Sequence, residues 1–93
     1  MNWPFADPQN LAVITVRQIV RDGTPILYVS HDADDGGWQF LTGGELITED
    51  AIVLALSEIA AIDPSVCELA DLPLGWIGHR TAVSEPWQRT HHP

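Results

Sequence analysis

From Ala12 to Arg21 the chain alternates. Ile14, Val16 and Val20 fall on one face of an extended segment, and Thr15, Arg17 and Arg21 fall on the other. Val13, Ile14, Thr15, Val16, Ile19 and Val20 are all β-branched, so the pattern predicts a half-buried strand. Asp22-Gly23 then supplies a tight-turn signal, with Pro25 just beyond it. Ile26-Leu27-Tyr28-Val29-Ser30 is apolar on both sides and predicts a second, central strand, paired to the first as a hairpin. Asp32 to Gly37 reads as a polar loop. Trp38-Gln39-Phe40-Leu41 returns as a short third strand, ended by Gly43-Gly44.

Beyond that point the period changes. Thr48 is a suitable N-cap, and Glu49 and Asp50 would sit in a first helical turn, where the dipole favours anions. Ile52, Leu56 and Ile59 form one helical stripe, widened by Val53 and Ala60, which predicts a core-facing helix from about Glu49 to Ala61. Asp63-Pro64 ends it and opens a shorter helix through about Ala70, with Asp63 as its cap. Leu72-Pro73-Leu74-Gly75 reads as a turn and Trp76 to Ala82 as a last strand. Residues 1–10 carry Pro4 and Pro8 and read as an extended arm, with Trp3 and Phe5 available to pin it down; residues 88–93 read as a frayed polar tail. The order β-β-β-α-α-β predicts an α+β fold. Its sheet is expected to be mainly antiparallel, of about four strands, with one long and one short helix on one face. All 93 residues fit one domain.

Charge changes the picture more than composition does. Thirteen Asp and Glu face four Arg, and the formal net charge is −9. Such a chain repels phosphate backbones and anionic lipid surfaces, so neither nucleic acid nor membrane is an expected partner. A basic protein suits the field better. Cys67 is the single cysteine and permits no internal disulfide. Residues 1–8 lack the basic start and apolar run of a signal peptide, and no uncharged run approaches the ~20 residues of a membrane span, so the cytoplasm is the expected location.

Ser30-His31-Asp32-Ala33-Asp34-Asp35-Gly36-Gly37 holds the densest polar chemistry. Asp32 and Asp34 match the first and third positions of a calcium-binding EF-hand loop, but Gly36 and Gly43 stand where further ligands belong. If the second and last strands are neighbours, His31, Asp32, Asp34 and His79 form a candidate transition-metal or acid–base site. The competing interpretation is a solvated strand-to-strand turn. Cys67 has Glu68 beside it and no local histidine, the wrong surroundings for a thiolate nucleophile. Gly43-Gly44 before Thr48 superficially suggests a phosphate loop, but Glu45, Glu49 and Asp50 would repel the phosphate.

Trp38-Gln39-Phe40-Leu41 with Gly43-Gly44, Glu49-Asp50-Ala51, Asp63-Pro64-Ser65, the run Leu69 to Trp76, Arg80 and Trp87 together carry a resemblance. The stretch from about Gly23 to Trp87 resembles a family of small uncharacterised bacterial proteins. Some of its relatives are grouped with immunity proteins, which neutralise polymorphic toxins. The resemblance implies a protein partner, and it brings neither a catalytic set nor a cofactor. The first expectation is therefore a non-catalytic, immunity-like binding protein that contacts a basic partner through Asp32, Asp34, Asp35, Glu45 and Glu49. The alternatives are a metal-binding protein or metal-dependent enzyme built on His31, Asp32, Asp34 and His79, and a homodimer formed through a sheet edge or the terminal tryptophans.

Overall fold

A computed structural model describes residues 2–92. Six strands form one mixed sheet: β1 (Ala12–Val16), β2 (Tyr28–His31), β3 (Trp38–Leu41), β4 (Ala51–Ala55), β5 (Trp76–His79) and β6 (Gln88–His91), in the spatial order β4-β1-β3-β2-β5-β6. Two α-helices, α1 (Arg17–Asp22) and α2 (Leu56–Ile62), and two 3₁₀ segments, Thr48–Asp50 and Pro64–Leu69, complete the chain. The α+β class matches expectation. The sheet is larger than expected, and β1 runs parallel to β3 while every other neighbouring pair is antiparallel.

The first strand stops halfway along the segment that alternation assigns to it. Arg17 begins a helix instead, which carries Ile19 into the core at 2% exposure. Gly23 ends that helix in the left-handed region at φ 72°, and its N–H reaches the Gln18 carbonyl. The same freedom that makes Asp-Gly a hairpin signal makes Gly23 a helix terminator. The expected hairpin between the first two strands is therefore absent, and β1 lies between β3 and β4.

The expected long helix is also divided. Thr48 is not an N-cap: Thr48–Asp50 is a 3₁₀ turn, after which Ala51–Ala55 pairs with β1 over five residues. A short apolar run suits either geometry, and the backbone bonds offered by β1 decide for the strand. Helix α2 keeps the second half of the stripe, with Leu56 and Ile59 fully buried, while Val53 is 66% exposed. Asp63 caps the following segment as expected, its carboxylate accepting from the Ser65 N–H at 3.0 Å. The tail does not fray at its start, because Gln88–His91 pairs with β5.

One face of the sheet is covered. Val13, Val29, Trp38 and Phe40 point from it into a core closed by Leu56, Ile59, Val66 and Leu69. The N-terminal arm lies over the same core. Phe5 meets Trp38 edge-on at 5.3 Å, and the Trp38 Nε1–H donates to the Asp7 carboxylate at 2.8 Å. A buried knot ties the far end, where Arg80 donates to the Ile26 carbonyl, Asp63 and Ser65 beneath the Trp87 ring. Among the described residues no helix is long and apolar enough to cross a membrane.

Candidate functional site

Strand register determines which side chains share the other face. Side chains alternate along each strand, and directly paired residues point the same way. Val53 pairs with Ile14, Ile14 with Gln39, Gln39 with Ser30 and Ser30 with Ile77. One step along, Leu41 pairs with Tyr28 and Tyr28 with His79. These residues form the floor of an open sheet face opposite the core.

Two hollows lie on this face. One, of about 430 Å³, runs between the sheet and the segment following β3, with Val16, Leu46 and Ile47 on its apolar side and Gln18, Glu45 and Asp50 on its polar side. The other, of about 590 Å³, spreads over Ser30, Gln39 and Ile77 toward Asp32 and Asp34. Tyr28 and Leu41 line both, so the hollows form one continuous surface.

The acidic residues divide between its two ends. Asp32, Asp34 and Asp35 lie in the loop entering β3, and Glu45 and Glu49 lie in the segment leaving it. Asp32 is held in place by the Gln39 amide, which donates to it at 2.8 Å. Asp35 accepts from the Gly37 N–H at 2.8 Å and so stabilises its own turn. Glu49 is exposed but does not line the hollow; its neighbour Asp50 does. Asp50 accepts from Gln18 at 2.6 Å and pairs with Arg17 at 2.7 Å. The Gln18 bond, followed by Arg17, holds its carboxyl below the usual value of 3.8. Sequence reasoning bypassed Asp50 because Gln18 and Arg17 approach it only after folding.

The candidate metal set does not converge. Although β2 and β5 are neighbours, their register aligns His79 with Tyr28, three residues from His31. An odd spacing puts the two imidazoles on opposite faces. His31 is on the core side, stacked on Trp38 at 3.9 Å, with Nδ1 donating to the Leu72 carbonyl at 2.7 Å. His79 is on the open side, with its Nε2 at hydrogen-bonding distance, 3.2 Å, from the Thr90 hydroxyl. Among the described residues, no group of three His, Cys, Asp or Glu side chains is placed to hold a metal ion. Burial, followed by the charge of Asp63, pushes the Cys67 thiol up, away from nucleophilic use.

Charge pairing leaves an excess. Arg17, Arg80 and Arg89 pair with Asp50, Asp63 and Asp71. Thirteen carboxylates less these three leave ten without an arginine partner among the described residues. No family model matches the chain, and comparison with curated proteins and with solved structures finds no match.

Proposed function

We propose that the protein is a non-catalytic binding module that recognises a basic protein partner through the open face of its sheet. The observation that carries this reading is the construction of that face: a floor on which the apolar side chains of Ile14, Leu41, Tyr28 and Ile77 flank Gln39 and Ser30, with carboxylates at both ends. A partner that sets apolar side chains on the floor places its lysines or arginines beside Asp32 and Asp34 at one end and Glu45 and Asp50 at the other. Burial of the floor supplies affinity, while the acidic ends accelerate encounter and reject acidic competitors. An immunity-like role, in which such a partner is a toxin, fits the same chemistry.

A pull-down from lysate of the source organism, washed at low and then high salt, tests the reading. A basic protein released by salt is expected. Replacing Asp34, Asp35 and Glu45 with lysine should then reduce its association rate by at least tenfold, consistent with electrostatic steering. An unchanged rate removes the acidic ends from the interface, and no partner at either salt removes the proposal.

A further inference from the structure

The sheet has two edges of opposite character. The β6 edge is polar, carries Arg89 and His91, and is exposed at every residue. The β4 edge reads Ala51-Ile52-Val53-Leu54-Ala55, with no charge and no proline. Charged residues or proline ordinarily guard an edge against further pairing, and β4 has neither.

The backbone of β4 specifies how that edge is used. The Leu56 N–H donates to the Leu11 carbonyl at 2.8 Å, which identifies Leu56 and Leu11 as a hydrogen-bonded pair. Such pairs alternate in an antiparallel ladder, so Leu54 and Ile52 also bond toward β1. The backbones of Ala51, Val53 and Ala55 therefore point outward. Two of their groups are already engaged: the Ala51 N–H bonds the Thr48 carbonyl, and Ala55 is the N-cap of α2, whose carbonyl accepts the first helical bond. The outward groups left are the Ala51 carbonyl, both groups of Val53 and the Ala55 N–H.

We infer that β4 pairs antiparallel with β4 of a second copy of this chain, about a two-fold axis at Val53. That register uses the whole remaining set. Each Val53 N–H donates to the partner's Val53 carbonyl, and each Ala55 N–H donates to the partner's Ala51 carbonyl. The side chains are self-complementary, since Ile52 lies opposite the partner's Leu54 and alanines meet at both ends. Charge also favours this edge in a chain of net −9. The nearest carboxylates, Asp50, Glu49 and Glu58, lie in the flanking 3₁₀ turn and in α2, so the paired stretch Ala51–Ala55 itself carries no charge. The product is a continuous twelve-stranded sheet formed from two six-stranded ones. The inference does not rest on the basic-partner proposal: it uses the outward backbone of β4, and although the Val53 side chain borders the open face, neither hollow is lined by β4.

Light scattering on the full chain, titrated to about 1 mM, tests this. The mass should double with concentration. Association should strengthen in about 0.5 M salt, because screening relieves repulsion between two acidic chains. Val53→Pro removes an outward N–H while leaving the β1 ladder intact, and Val53→Lys sets like charges opposite each other on the axis. Both should remain monomeric with unchanged circular dichroism, whereas Ile14→Lys, on the neighbouring strand, should still dimerise. In the unmodified chain, exchange of the Val53 amide should slow as concentration rises. A wild-type monomer throughout overturns the inference. So does a dimer that survives a folded Val53 variant, or one lost only in Ile14→Lys.

Discussion

Arg80 shows how one side chain organises a region. Its guanidinium, with a side chain 2% exposed, bonds Asp63 at 2.7 Å and the Ile26 carbonyl at 2.9 Å, and lies 4.0 Å from the Trp87 ring centroid. Removing one partner of a buried ion pair strands the other, so Arg80→Ala should cost about 3–5 kcal/mol in chemical denaturation. Gly78 is a second sensitive point, because an added Cβ would lie 2.6 Å from Leu69 Cδ1. With Leu69 only 1% exposed, Gly78→Ala should cost about 1–3 kcal/mol by overpacking. Asp50 provides a pH test. Its lowered carboxyl favours the folded state above the usual value of 3.8 and loses that advantage as pH falls through the lowered value. Thermal melts should therefore show Asp50→Asn destabilised at neutral pH and indistinguishable from wild type in strong acid. The sequence exposed the types of these residues but not their convergence: Asp63, Ser65, Arg80 and Trp87 stood out separately, and folding joins them into one framework knot.

Elements were legible where local chemistry admitted one answer. Trp38–Leu41 between a polar loop and two glycines became β3 with its expected limits, and Asp63 capped the segment after Pro64. They were illegible where a choice depended on distant partners. Ile52 and Val53 satisfy a helical stripe as well as a strand, and only the presence of β1 alongside settles which forms. The site suffered from the same limit. The density of carboxylates identified the loop acids Asp32, Asp34 and Asp35, yet the separation of His31 from His79 follows from a register that no local pattern encodes. β6 was obscured by a polar composition that suits an edge strand and a loose tail equally well.

At the scale of the molecule, charge and shape make opposing demands that salt distinguishes. A chain with ten carboxylates lacking an arginine partner among its described residues repels a copy of itself and attracts a basic protein. Raising ionic strength should therefore weaken capture of the basic partner while strengthening self-association, and sedimentation velocity on the same sample reads both. Self-association that weakens in salt along with capture would mean that the two copies meet through opposite charges, against the uncharged β4 edge.

The position of β1 has a consequence for how the molecule comes into being. On a ribosome this strand emerges well before β3 and β4, the two strands that must flank it. Until both have been made, its apolar face has no ladder to join, and no hairpin with β2 can shelter it. Folding must wait for contacts between distant parts of the chain, a requirement that slows small proteins and lengthens their exposure to aggregation. The nascent chain thus passes through an interval in which Val13, Ile14 and Val16 are available to any chaperone that binds extended apolar segments.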